Sequence, residues 1–426
     1  MERQADVVIV GGGIAGVSTA YELAKRGSRV VVCEKGEVGA EQSTRNWGFV
    51  RQQGRDPAEL PLMMESNKIW QGLERELNAD LNWIQAGNLV TFADEQERQA
   101  WTDWAGIAAD HGLETRVLDR AELGRLVPDV KFDCLGAVYT PSDGQAEATQ
   151  VMPALHRAAE GRGVTFLTNS AVYEIETAAG EVKGVIGEHG PVHAPVVVCA
   201  AGAWSGRLLR QLGLKLPQMW LRGSVARTTA ARHISHTATW TGVAYRQRCD
   251  GTMNVATRST DHDLTIDSLL GFRPFMQGYF TNHRGIRLHV GRLFFDLLGG
   301  RFSKAAFRRE VTRHRILDPA PNMKILNDVL SEVRRIAPAA ADVEIERAWA
   351  GYIDMTPDLL PAIDALAAPK GLILATGFSG HGFGMGPIVG RLVAELILDG
   401  RPSLDLSAFR FSRFHDGTKL TPHTVV

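Results

Sequence analysis

A β-branched run, Asp6 to Val10, breaks into Gly11-Gly12-Gly13-Ile14-Ala15-Gly16, and few folds accommodate that join. Residues Ile14 to Arg26 favour helix, Gly27 supplies the C′ position that closes it, and Arg29 to Cys33 reads as a second buried strand. The pattern predicts a βαβ opening. Gly11, Gly13 and Gly16 form G-x-G-x-x-G at the strand-to-helix turn. The first glycine permits the tight turn, the second lets backbone approach a pyrophosphate, and the third lets helix pack on strand. The amides at the helix N-terminus, around Ile14 and Ala15, then face the phosphates.

Glu34 ends the second strand, where a carboxylate accepts both ribose hydroxyls of an adenosine and repels a 2′-phosphate. Strand, glycine turn, helix, strand and acid in this order imply one bound dinucleotide. The fingerprint leaves NAD and FAD open.

The 426 residues, 44% of them hydrophobic, suffice for about two domains with cores. Lys plus Arg (47) nearly balances Asp plus Glu (48), which argues against a nucleic-acid binder. None of Cys33, Cys134, Cys199 and Cys249 forms a C-x-x-C pair, so no metal or redox dithiol is expected, and a reducing compartment fits. The longest apolar stretch, Gly371 to Leu398, carries His381, Arg391 and many glycines, which disqualifies it as a membrane span. No signal peptide precedes the first apolar run, and a soluble, cytoplasmic protein is expected.

Further along, helices are predicted over Met63 to Asn78, Glu95 to His111 and Ala148 to Gly161. Strands are predicted at Leu89 to Phe92, Val164 to Leu167 and Val192 to Ala200. Tyr245 to Arg248 and Thr252 to Thr257 read as a hairpin around Asp250-Gly251. Leu372 to Ala375 reads as a strand, followed by a glycine-rich loop and a helix at Ile388 to Leu398 with Pro387 in its first turn. The expected fold is α/β: a discontinuous Rossmann-like nucleotide-binding domain (1–80, 145–208 and 335–426) with a second domain of mixed β-sheet plus helices (81–144 and 209–334) for substrate.

Three more segments carry chemistry: S-T-R-N-W-G-F-V-R at 43–51, A-A-G-A-W-S at 200–205 and G-F-S-G-H-G-F at 377–383. With the N-terminal fingerprint, they resemble the D-amino acid oxidase and sarcosine oxidase family of FAD-dependent oxidoreductases over nearly the whole chain. The resemblance implies FAD, oxidation of a C–N bond by hydride transfer to flavin N5, and an imine that hydrolyses. It implies a cofactor set of Gly11, Gly13, Ile14, Ala15, Gly16, Glu34 and Lys35, then Ser43, Thr44, Arg45, Asn46, Trp47 and Gly48. Val172, Ala201, Gly202, Trp204 and Gly351 join it, with Gly380, His381, Gly382, Phe383 and Gly384 along the isoalloxazine edge. Arg51 aligns with an arginine that holds a substrate carboxylate, a role suited to a bidentate fork. His381 is read as a positioning residue beside the flavin or as a base.

The sequence departs from the family pattern in three places. Gly384 stands where some members carry a carboxylate-binding lysine. Asn254 matches a lysine that promotes reaction with oxygen, and Gly351 matches a cysteine that attaches flavin covalently. Non-covalent FAD is therefore expected, with either oxygen or a redox partner as electron acceptor. The region around Arg222, Arg246, Arg258, Arg273, Arg284, Arg287 and Arg292, with Tyr245, suggests a pocket for an anionic amine or amino acid, so Tyr245 and Arg246 are also candidate catalytic residues. A flavoprotein subunit of a larger amine dehydrogenase and a non-catalytic nucleotide-binding scaffold are the alternatives. The oligomeric state is left open.

Overall fold

Val7–Val10, Val30–Cys33 and Val196–Cys199 contain no charged residue, and strands of this kind need cover on both faces. In the computed structural model, which describes residues 3–276 and 286–423, they lie side by side in a parallel arrangement. They form the middle of a six-stranded sheet that is continued by Thr165–Leu167 on one side and by Leu372–Thr376 and Ala362–Ala365 on the other. Residues alternate between two cores. Val7, Ile9 and Val32 pack under the helices Ile14–Lys25, Leu60–Leu77 and Gly382–Leu398. Val8, Val10 and Val31 face a four-stranded sheet that includes Val172–Ala178 and Glu181–Gly187.

The predicted strand at Val192 to Ala200 divides in two. Gly190–His193 belongs to the four-stranded sheet and Val196–Cys199 to the six-stranded one, with Ala194-Pro195 between them. Proline has no N–H to give a ladder, so the apolar run changes sheets there. The C-terminal helix also differs from expectation. It spans Gly382–Leu398, so Pro387 lies inside it and the second half of the glycine-rich "loop" forms its first turn. Close helix packing overrides glycine's poor helix propensity. A Cβ on Gly390 would sit 2.5 Å from the carbonyl carbon of Ser18, and one on Gly386 2.5 Å from Ile14 Cγ1.

The second large sheet has ten strands. Met219–Thr228 pairs with Ile345–Met355, and Val243–Gln247 forms the expected hairpin with Met253–Thr257, turning at Gly251 (φ 81°). The helix Met323–Ile336 lays Leu326, Val329, Leu330 and Val333 against this sheet. No helix among the described residues is long and apolar enough to cross a membrane.

Candidate functional site

A cavity of about 1220 Å³ runs between the two large sheets, from the N-terminal glycine turn to the start of the C-terminal helix. At one end, Gly11 adopts φ 110°, and a Cβ there would lie 2.3 Å from the carbonyl oxygen of Ala200. Only glycine fits this turn. Gly16 does not line the cavity; a Cβ on it would meet Gly11's carbonyl oxygen at 2.1 Å, so its task is packing helix on strand. Ser43 reaches back from another segment to accept a hydrogen bond from the Ile14 amide at 2.8 Å. Glu34 accepts from the Gly12 and Gly36 amides, both at 2.8 Å, and burial raises its pKa against those bonds. Lys35 donates to the carbonyls of His314 (2.9 Å) and Arg315 (2.6 Å), tying this rim to the segment after helix Lys304–Arg313.

The middle of the cavity is lined by Arg45, Asn46, Trp47, Val172, Ala201, Gly202, Trp204 and Gly351. Arg45 donates to the carbonyls of Ala40 (3.1 Å) and Ala350 (2.9 Å), which locks the 43–51 segment to strand Ile345–Met355. Asp354, on that strand, is fully buried and carries an Oδ1 with no hydrogen-bond partner. Burial pushes its pKa up to about 7, opposed by the Gly377 amide.

At the far end, Gly380, Gly382 and Phe383 line the wall and His381 is the N-cap of the C-terminal helix, so that helix directs its unpaired amides and positive end inward. His381 Nδ1 lies 2.9 Å from Oε2 of the fully buried Glu59. Burial and then the Arg55 charge lower the His381 pKa, while Glu59 works against them. The neutral imidazole thus donates from Nδ1 and leaves Nε2 as an acceptor.

Arg51 lines this end too, buried, with one guanidinium nitrogen that has no partner. Its charge is opposed by burial and by Arg55 and Arg258, and favoured by Asp143. Asp143 itself accepts from the amides of Gln52 (2.7 Å) and Gln53 (3.2 Å), and burial raises it to about 6. Trp47, Phe49 and Trp240 form an aromatic wall, with Trp47 and Trp240 centroids 4.8 Å apart.

Several expected site residues stand elsewhere. Tyr245 is buried among Val255, Met253 and Val333, and burial raises its hydroxyl pKa. Arg246 pairs with Glu147 at 2.8 Å and donates to the Trp47 carbonyl, which makes it a strut behind the cavity wall. Neither residue lines the cavity: neighbours on one strand face opposite sides, and here Tyr245 enters the core under helix Met323–Ile336 while Arg246 is taken up by Glu147 and the Trp47 carbonyl. Thr44 donates to the Gly39 carbonyl at 2.8 Å, Gly48 packs on Arg246, and the Gly384 carbonyl accepts from Trp70 Nε1 at 2.9 Å; all three lie behind the lining. Asn254 donates to the Trp47 carbonyl at 3.2 Å.

Of the arginines of the middle region, Arg258 lines the cavity. Arg222 and Arg287 lie by Asp261, Arg292 pairs with Asp296, Arg273 is exposed, and Arg284 lies outside the described residues. Arg55, Glu59 and Asp354 were missed by the sequence reading.

The fit to a flavin dinucleotide rests on the glycine cradle at Gly11 and Gly13, the buried Glu34 carboxylate, the uncapped helix end at His381 and the unpartnered Asp354 oxygen. Glu34 would hold a ribose, the two helix ends would face a pyrophosphate and a ring, and the cavity joins the three places.

Comparison with known proteins agrees. The sequence profile of the family described as "FAD dependent oxidoreductase" (DAO) matches residues 6–396. The chain is 27% identical to mitochondrial sarcosine dehydrogenase of Mus musculus, over 99% of this chain but 42% of that protein's length. It is 27% identical to sarcosine oxidase subunit beta of Rhizobium meliloti (strain 1021), covering 97% of this chain and 89% of that protein. The L-amino acid deaminase of Proteus myxofaciens, solved in complex with anthranilate, superposes with a TM-score of 0.91 at 27% identity, covering 98% of this chain and 95% of that one. The chain belongs to the FAD dependent oxidoreductase family, and FAD is its cofactor.

Proposed function

We propose that this protein oxidises the C–N bond of an amino acid or N-substituted amine that carries a carboxylate, giving an imine that hydrolyses. The observation that carries this reading is Arg51: a buried guanidinium with an unpartnered nitrogen, on the cavity that also holds the cradle for FAD. Bound FAD supplies a two-electron acceptor. Arg51 fixes the substrate carboxylate and hence which hydrogen of the adjacent carbon is presented for removal. His381 Nε2 accepts a proton from the substrate ammonium, because Glu59 fixes the tautomer. Trp47, Phe49 and Trp240 exclude water from the reacting carbon. Gly351 offers no nucleophile to the cavity, and a Cβ there would press on Arg45 at 3.1 Å, so no covalent bond to FAD forms at this position.

The relatives named for sarcosine oxidation and the deaminase named for L-amino acids support the substrate class. The test is anaerobic mixing of the yellow holoenzyme with a panel of amino acids and secondary amines, following bleaching at about 450 nm. Bleaching by carboxylate-bearing amines and not by their decarboxylated counterparts is expected. A flavin that no amine reduces overturns the reading.

The likeness to a protein named as a subunit favours a second reading, in which electrons leave through a partner chain instead of oxygen. Flavin reduced by substrate in the isolated chain, but reoxidised by an artificial acceptor far faster than by air, selects it.

A further inference from the structure

The fold pairs its structural arginines, and Arg45 and Arg315 on the cavity meet Asp318 and Glu188, but three arginines at the far end of the cavity are left without a carboxylate. Arg207, Arg246 and Arg413 are buried and meet Glu310 (2.6 Å), Glu147 (2.8 Å) and Asp358 (2.8 Å). Arg51, Arg55 and Arg258 line the cavity, and among the described residues none of them has a carboxylate within 4.0 Å. Arg51 and Arg55 are buried, and a buried guanidinium without a counter-ion is costly; Arg258 is exposed on the cavity side, where an anion can take the place of water.

Two negative charges inside the protein bear on this group, and both are engaged. Glu59 holds His381 and offsets Arg55. The oxygens of Asp143 are taken up by Gln52 and Gln53. Arg51 and Arg258 are left. They approach the ring of Trp240, with Cζ 5.5 Å and 5.1 Å from its centroid, and come from different parts of the fold. Arg51 follows strand Phe49–Val50, and Arg258 follows Met253–Thr257 of the large sheet. The Trp240 indole N–H is also buried without an acceptor. Glu97 is the acid that acts on Arg258, and it is exposed. One carboxylate on Arg51 leaves the Arg258 fork and the indole N–H unanswered.

We propose that Arg258 recognises a second acidic group, so that the substrate is an amino acid or N-substituted amine carrying two carboxylates. This rests on the amine-oxidation reading: Arg51 takes the carboxylate next to the reacting carbon, and Arg258 takes the distal one. Trp240 lies beside the chain between them and supplies a neutral donor.

The experiment uses holoenzyme and two ligands that cannot be oxidised there, glutarate and butyrate, titrated against the flavin absorption spectrum. Glutarate is expected to bind at least about tenfold tighter than butyrate, as a second charge-assisted pair requires. Arg258→Gln should abolish that difference by weakening glutarate far more than butyrate. Equal affinity in the wild type, or a preference retained in Arg258→Gln, overturns the assignment. Should Arg258→Gln lose FAD, Arg258→Lys decides: a point charge in place of the fork must reduce the glutarate preference, and an unchanged preference overturns the proposal. Both enantiomers of glutamate and glutamine are then compared as reductants. Flavin reduced only by monocarboxylic amines sinks the second acidic group and leaves amine oxidation standing. A glutarate preference without reduction by any amine does the reverse.

Discussion

Nδ1 of His381 and Oε2 of Glu59 stand 2.9 Å apart, although one residue caps the C-terminal helix and the other precedes the helix Leu60–Leu77. The pair sets the tautomer of the imidazole and partly offsets the burial and the Arg55 charge that lower its pKa. Glu59→Gln removes that offset, so His381 gains its proton only at lower pH still. The acid limb of the rate of flavin reduction against pH should move to lower pH, and the maximal rate should fall about tenfold. An acid limb that stays in place assigns it to another group.

Glu34 holds the amides of Gly12 and Gly36 at 2.8 Å each while facing the cavity. Glu34→Ala loses both bonds and the ribose acceptor, and FAD retention after dialysis should weaken by about tenfold or more. Glu34→Gln keeps acceptor capacity and should fall between. The flavin-to-protein ratio reads the result, and full occupancy in Glu34→Ala removes the ribose role.

Gly390 faces the backbone of Ser18, whereas Gly72, on the helix Leu60–Leu77, meets nothing within 4 Å. Gly390→Ala forces two packed helices apart and should cost about 1–3 kcal/mol. Gly72→Ala should instead stabilise by about 0.5–1 kcal/mol. Denaturant melts of the two variants test the contrast, which a propensity argument alone predicts to be absent.

Asp354 is pushed up to about 7 from an ordinary value of 3.8, chiefly by burial. Below pH 4 it is protonated in both folded and unfolded chains. Between about 4 and 7 the folded state keeps the proton that the unfolded chain has released, so stability from this group is present at low pH and lost as pH rises through 7. Asp354→Asn removes the titration. Its Tm relative to wild type should therefore be higher at pH 8 than at pH 5, and a difference independent of pH assigns the stability profile to other carboxylates.

The N-terminal turn was legible because each of its glycines answers to neighbours a few positions away, and Gly11, Gly27 and Glu34 take the expected places. The hairpin at Gly251 was legible for the same reason. Pro195 shows the limit. An apolar run from Val192 to Ala200 looks continuous, yet which sheet each half joins depends on strands far away in sequence. The C-terminal glycines misled in the same way, since their helical state is imposed by Ile14, Ser18 and Met63 pressing on them. Tyr245 and Arg246 could have been separated beforehand, because adjacent residues of a strand cannot share a face. Arg55 and Glu59 look like ordinary surface charges until the tertiary fold buries them.

The six-stranded sheet has a consequence for biosynthesis. Its central strand Val196–Cys199 is flanked by Val7–Val10 and by Leu372–Thr376, so the sheet lacks an inner member until Leu372–Thr376 has left the ribosome. The nascent polypeptide can build its opening βαβ unit early, but the wall carrying His381 arrives much later. The site for the yellow prosthetic group is therefore incomplete until the residues from Leu372 to His381 have been added.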